Sequence, residues 1–449
     1  MLTHGSKNRN ISRFLISQMK SLYVSNCVVL GALLFLTFLG DDVVLRFFLV
    51  FACVALGILN LWVCWRATRL LLRPVAIFSL LWLIVVPLTS FEVPLMEAMS
   101  AFQWRQVLLF ALTFMMASLL FAQDDLKPNE VPVTSLSLSR GLAYVMYGTI
   151  VVTVIAVLFD AIINGGFIIS ADDVNVERHR SSFPGYYLLR ALGNLGVSVL
   201  AFDKTRRKGK SFIMAFLVMT LVNFSIGVRF GVFVLGIAVV SCWCADRFEA
   251  KRLRALVIIG ACAVLVFTGI SIARDDEANK TLYYITLGGY SGTVDSLTST
   301  ELIRYFGYSQ RLMEEYMANE QGGVASGAYT LTPLFDFFQI ESEYPPRIQV
   351  QGYNATNIIS YLYQDFGQLW PVAAFVWSAL INAAYRWRLR KPGLFSFYWC
   401  SVAYVNLALS FYAYVYAFSY WLVTFPILLL MVSALFHVGR KPKINGVQF

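Results

Sequence analysis

SFIMAFLVMTLVNFSIGVRFGVFVLGIAVVSCWCA, residues 211–245, consists of two apolar runs, Ser211 to Ile226 and Phe230 to Ala245, joined by a turn of almost no length. Each run approaches the roughly 20 residues that a helix needs to cross a hydrocarbon core. So short a turn sets the two helices side by side and antiparallel. Arg229 stands in that turn, in a chain that otherwise keeps charge out of its hydrophobic stretches. A guanidinium there is costly unless water or an anion receives it. Two readings follow: a functional arginine facing an anionic or aqueous space, or an arginine snorkelling from a helix end to the interface.

The pattern extends outward from this hairpin. Hydrophobic residues make up 58% of the chain and charged residues 14%, and the mean hydropathy is +0.65. The apolar segments are continuous and do not alternate in tens, which selects helices over a transmembrane barrel. Crossings are expected near residues 22–40, 43–64, 73–90, 104–122, 141–163, 184–202, 211–227, 229–245, 254–272, 368–386, 394–415 and 417–437. The expected fold is all-α: a polytopic membrane protein with about 12 transmembrane helices and one long, partly helical extracytoplasmic loop. The chain divides into an N-terminal tail (1–21), nine helices (22–272), the long loop (273–367), three helices (368–437) and a C-terminal tail (438–449).

Orientation follows from the lysines and arginines, which cytoplasmic loops retain in excess. With the N-terminus inside, most of the chain's 36 basic residues fall on the cytoplasmic side, in the N-terminal tail, in DKTRRKGK, DRFEAKRLR and RWRLRK, and in the C-terminal tail. Both termini are therefore expected in the cytoplasm. The net charge of +10 reads as a topology signal and not as a nucleic-acid patch. The first 21 residues are polar and basic with no small-residue cleavage site after an apolar core, so the first helix is expected to act as its own insertion signal. All 7 cysteines lie in or beside apolar segments, which implies no disulfide framework. Cys242 and Cys244 form a CxC pair without nearby histidines, and packing explains it better than a metal does.

The long loop holds twelve of the 26 acidic residues, together with Arg274, Lys280, Arg304, Arg311 and Arg347. Loops of that length in a compact architecture are usually functional. Within it TELIRYFGYSQRLMEEYMAN reads as an amphipathic helix, with Leu302, Phe306, Leu312, Met313 and Tyr316 at helical spacing, suited to lie on the membrane surface or cap a cavity. A second outer loop, NGGFIISADDVNVERHRSSFPGYYLLR, carries Arg178, His179 and Arg180, with Arg190 just inside the next apolar run. Basic residues gathered on the outer side ask for an anionic ligand. Local pairing with carboxylates explains Arg274, Lys280 and Arg311.

These residues carry a resemblance. The chain resembles, over about residues 140–437, the Wzy-type O-antigen polymerases, which are similar in architecture to O-antigen ligases. The matching features are HRSSFPGYYLLR, where an arginine-bearing loop enters an aromatic-rich helix; GVRFG, a Gly-x-Arg turn between short helices; RYFGYS and YPPR in the long loop; and YQDFGQ at its exit. Gln368 and Leu369 follow YQDFG, where members often have a pair of small residues. The resemblance implies a polyprenyl-diphosphate-linked oligosaccharide repeat-unit polymerase in the bacterial inner membrane. Its periplasmic site would transfer a growing glycan from undecaprenyl pyrophosphate onto a carrier-linked repeat unit. No cofactor is implied; possible partners are the bilayer and a chain-length regulator in the same membrane.

Under that resemblance Arg180, Arg229 and Arg304 are assigned to the pyrophosphate leaving group, whose developing charge arginines can stabilise without a metal. Arg347, Arg178 and Arg190 are further substrate contacts, and no metal site is expected. His179 and Asp365 are the candidates to activate the acceptor hydroxyl; their ordinary alternatives are a polar loop residue and a helix cap or arginine partner. Tyr344, Tyr353 and Tyr363, with Tyr329 and Tyr361, could stack on sugars or anchor at the interface. Two other functions fit much of the pattern. A ligase to a lipid core would share nearly all of it, and a 12-helix secondary transporter would show internal repeats and charged midplane residues. The sequence displays no clear repeat, and Asp160 near the outer end of the fifth segment is the exception to an absence of acids within helices.

Overall fold

The computed structural model describes residues 4–68, 73–91, 98–122, 138–168, 183–203, 205–225, 229–243, 309–310, 313, 317, 325–340, 357–411 and 420–436, with the side chains of 4–18, Arg229, Phe230 and a few others left out. Among the described residues the regular structure is helical: α1 His4–Leu36, α2 Val43–Thr68, α3 Pro74–Leu88, α4 Ala101–Phe121, α5 Arg140–Ile163, α6 Tyr186–Phe202, α7 Lys210–Ser225, α8 Arg229–Trp243, α9 Thr332–Phe338, α10 Ile358–Phe366, α11 Trp370–Arg390, α12 Leu394–Leu409 and α13 Phe425–Phe436. Five spans are long and apolar enough to cross a membrane: Met19–Leu36, Val43–Arg66, Ala101–Phe121, Arg140–Ile163 and Ile358–Arg390. Shorter apolar helices accompany them, including Leu188–Phe202, Lys210–Ser225 and Leu394–Leu409. The protein is thus a multi-pass helical membrane protein. Helices occupy the larger part of each expected segment that is described, although α1 ends at Leu36 within the expected 22–40 and α12 ends at Leu409 within the expected 394–415; the expected crossing at 254–272 lies outside the described residues.

Two compact units share the chain, 1–131 with 287–390 and 406–419, and 132–286 with 391–405 and 420–449. In the first, α1 and α2 are tied to α3 by a buried relay in which Asn26 donates to Asn60 (2.8 Å) and Asn60 to Ser79 (3.1 Å). Such bonds matter in apolar surroundings because an unanswered amide there costs ~1–3 kcal/mol. The middle of α3, Ser79–Val85, is π-helical. Pro87 follows directly, and a proline has no N–H for the carbonyl one turn back and crowds it, which a widened turn relieves. Around this bulge Phe78 stacks on Phe114 (centroids 3.9 Å apart), Trp82 meets Phe110 edge-on, and the Trp82 indole donates to Ser410 (2.8 Å).

The long loop contributes polar groups to the same unit. In the amphipathic segment Ser309, Met313 and Met317 recur one turn apart and are buried, as is Gln310. Met313 was expected on the apolar stripe. Ser309 and Gln310 sit on the buried face because their groups are answered: both donate to the Phe411 carbonyl, and Asn357 donates to Gln310 (2.6 Å). Asn357 also caps α10, accepting from Ser360 N–H (3.0 Å). The helical path back into the apolar region therefore begins at Ile358, ahead of the expected 368, and passes through a 3-10 turn, Gly367–Leu369, into α11.

The second unit is built on α5 and α6, which run antiparallel. Thr149 lies beside Gly196, Thr153 beside Gly193, and Asp160 beside Tyr186, while Asp203 accepts from Leu138 N–H (3.0 Å) at the far end. Gly193 and Gly196 permit the approach; a Cβ on Gly193 would meet Met219 Sδ at 2.5 Å and Thr153 Oγ1 at 2.9 Å. Small residues let helices close where side chains would hold them apart. Gly185 precedes α6 at φ +81°, a left-handed conformation that glycine takes without strain.

Candidate functional site

Asp160, buried to 2% exposure one turn from the end of α5, is the nucleus of a polar cluster. Its carboxylate accepts from Asn164 Nδ2 (3.2 Å), and the same amide donates to the Asp160 carbonyl (2.8 Å). The Tyr186 hydroxyl lies close enough to both Asp160 and Arg190 to feel their charges, and the Arg190 guanidinium lies 5.7 Å from the Tyr186 ring centre. Phe183 and Phe159 extend the aromatic row by edge contacts with centroids 5.3 Å and 5.8 Å apart. A carboxylate in an apolar helix is tolerable when cationic and hydroxyl partners share its charge. Asp160 is tolerated within α5 on that account.

Below the cluster a second polar layer fixes the neighbouring helices. Asn194, one turn after Arg190 on the same face of α6, exchanges amide bonds with Asn223 of α7: Asn223 donates to Asn194 (2.9 Å) and receives from it (3.3 Å). Asn223 also donates to the Met219 carbonyl (2.7 Å) and lies against Gly231 of α8 so closely that a Cβ there would overlap its Oδ1. Counted from this layer, Arg190 is about one turn further along α6. Arg229 is the first residue of α8, and α7 before it ends at Ser225. Both arginines thus belong to the same end of this helix group. At the opposite end the basic 203–210 turn is organised by Asp203, which accepts from Thr205 and Arg206 N–H groups and pairs with Arg206 Nε at 3.4 Å.

The other expected residues are distributed differently. Arg178, His179, Arg180, Arg304, Arg347, Tyr344 and Tyr353 lie outside the described residues, although 169–182, which carries the first three, is attached directly to the end bearing Asp160 and Arg190. Tyr363 is buried on α10 in the first unit. Asp365, on the same helix, is fully buried and holds the 325–331 turn. Its two oxygens accept from Tyr329 N–H (2.9 Å) and Thr330 N–H (2.6 Å). Backbone bonds from Ala325 and Ser326 to the Gln364 and Asp365 carbonyls complete the latch. Gly367 next to it has φ +53° and ψ −131°, a corner that favours glycine. The YQDFGQ string is therefore a latch and a corner, and its donors favour a structural employment of Asp365 over proton abstraction.

Asp160, Tyr186 and Asn164 are the cluster members that sequence reasoning did not place in the site. The signal was present, since an acid within an apolar helix calls for a partner. Among the described residues no group of three or more His, Cys, Asp or Glu side chains could hold a metal ion, and Cys27 and Cys53 are free thiols. No protein family, curated protein or solved structure matches the chain.

Proposed function

We propose that this protein is a polyprenyl-diphosphate-linked oligosaccharide repeat-unit polymerase of the bacterial inner membrane, crossing it twelve times with both termini in the cytoplasm. The observation that supports the reading most is the shared position of Arg190 and Arg229 at one end of the α5–α8 group, beside the attachment of the 169–182 loop and opposite the basic 203–210 turn. The positive-inside rule puts that basic turn in the cytoplasm, and hence the arginine end on the periplasmic side.

In the proposed reaction the bond between the glycan anomeric carbon and the diphosphate oxygen breaks, and an acceptor hydroxyl of the carrier-linked repeat unit forms the new glycosidic bond. Arg180, Arg229 and Arg304 stabilise the charge that develops on the departing diphosphate, and Arg190, Arg178 and Arg347 hold the substrate. His179 is the preferred group to take the acceptor proton, given the employment of Asp365. Charge-assisted donors in a water-poor site carry this chemistry without a metal ion.

Deletion of the gene followed by a lipopolysaccharide gel tests the reading. Loss of a polymerase leaves core carrying one repeat. Bare core with polymer accumulating on the carrier would assign a ligase instead, and an unaltered or wholly missing ladder would favour a transporter.

A further inference from the structure

We infer that Thr153 is a positioning residue for Arg190, acting through the backbone of α6. Its hydroxyl donates to the Leu189 carbonyl (2.6 Å) and accepts from the Gly193 N–H (2.8 Å). Those two groups are partners in a regular helix, four residues apart. A threonine on a helix ordinarily returns its hydroxyl to its own backbone, as Thr149 does on the same helix with the Met146 carbonyl (2.8 Å). Thr153 instead takes a place in its neighbour's ladder, and a side chain inserted in that way bends a helix at the point of insertion.

The place of the insertion gives it consequence. Leu189 and Gly193 bracket Arg190, and Tyr186 precedes it on the same face, so the first turns of α6 are set by α5 twice: at Thr153 through the backbone and at Asp160 through Tyr186 and Arg190. Gly193 is required for the arrangement, because its bare Cα admits the Thr153 hydroxyl and Met219. The hydroxyl therefore fixes the direction in which the guanidinium leaves the helix. This inference rests on the reading of Arg190 as a contact to the diphosphate of the substrate.

Thr153→Val is an incisive change, since valine keeps the shape and loses the hydroxyl. The Leu189 carbonyl and Gly193 N–H lose their shared partner and can pair with each other only if the methyl moves aside, so a lower melting temperature is expected and binding is measured on the folded protein. The test is titration of the purified full-length protein in nanodiscs with undecaprenyl diphosphate. Thr153→Val should weaken binding about tenfold, and Thr153→Ser should remain within about twofold of wild type. The double variant Thr153→Val/Arg190→Ala should bind no more weakly than Arg190→Ala alone, because the threonine acts through that arginine. Thr153→Ala, which removes the hydroxyl with a different volume, repeats the measurement should valine fold poorly. Wild-type affinity in both hydroxyl-free variants, or a multiplicative double variant, overturns the inference while leaving the polymerase reading in place. Failure of the wild-type protein to bind undecaprenyl diphosphate overturns both.

Discussion

Asp160 and Asp365 are both carboxylates buried in helices of a membrane protein, at 2% and 0% exposure, and their surroundings differ in kind. Asp365 is answered mainly by backbone N–H groups of the 325–331 turn, donors that are fixed once the chain is folded. Asp160 accepts from the Asn164 amide and lies beside the Tyr186 hydroxyl, with Arg190 near the same tyrosine. Backbone donors make a carboxylate a fastener for a loop. Side-chain donors are held by the carboxylate in turn, so Asp160 orients groups that remain able to address a ligand. Equal burial therefore supports unequal roles, and the chemistry is read from the partners.

The largest expected effect belongs to the end of the molecule that Asp160 organises. Arg229→Ala should abolish the polymer ladder with normal membrane levels, a loss of roughly 10²-fold or more in turnover. Lysine should restore part of it, since an ammonium lacks the bidentate fork of a guanidinium. Purified enzyme should retain turnover in excess EDTA. Full-length polymer from Arg229→Ala would return that arginine to a snorkelling role, and activity recovered only with added magnesium would refute the arginine mechanism.

The two carboxylates should then separate in opposite directions. Asp365→Ala leaves at least the Tyr329 and Thr330 N–H groups without their acceptor, at about 1–3 kcal/mol each. It should lower the melting temperature and membrane abundance while turnover per folded molecule is largely kept. Asp160→Asn should preserve abundance better and reduce turnover per molecule about tenfold or more, because Tyr186 and Arg190 lose the charge that orients them. Inactive but fully stable Asp365→Asn protein would break the comparison and restore Asp365 as a base candidate.

Sequence periodicity carried the helical, membrane-spanning character of the fold. Apolar length marks a membrane helix because the bilayer imposes it residue by residue, and α2, α5, α6 and α7 lie within a few residues of their expected bounds. Less legible were features set by a partner distant in sequence. Asp365 could be seen as a cap or an arginine partner, but nothing local announced that residues 325–331 would fold over it. Ser309 and Gln310 look like the wet side of an amphipathic helix until the Phe411 carbonyl and Asn357 are brought to them. Asp160 stood out as an anomaly, whereas its answer in Tyr186 and Arg190 required the antiparallel register of α5 and α6.

A smaller effect tests the layer beneath Asp160. Gly231→Ala would force its new methyl into the Asn223 side chain, where overpacking costs about 1–3 kcal/mol, and should displace the first turn of α8 that Arg229 opens. Polymer length should fall on the gel, and Asn223→Ala in the same chain should recover part of it by making room. A double variant as defective as Gly231→Ala alone would show that the contact does not set the position of Arg229.

Asp41 provides the exposed counterpart and the smallest effect. It accepts from Arg46 Nε (2.9 Å) and from the Ala101 N–H that begins α4 (3.2 Å), and these donors, Arg46 foremost, hold its carboxyl below the usual carboxylate range. A depressed native pKa means that the unfolded chain takes up the proton first as pH falls, so the contribution is complete above the unfolded value near 3.9 and disappears as pH drops through the native value. Water screens a pair this open, and its worth should stay below about 1 kcal/mol. Thermal melts of wild type and Asp41→Asn at pH 7 should therefore differ slightly, with the wild type higher, and the gap should close as pH falls below the unfolded value and through the lower native one. A gap that persists at low pH would mean that the Asp41 side chain stabilises the α1–α2 connection by shape and neutral hydrogen bonding, with its charge irrelevant. An exposed carboxylate would then depend on the geometry of its donors as fully as Asp365 does.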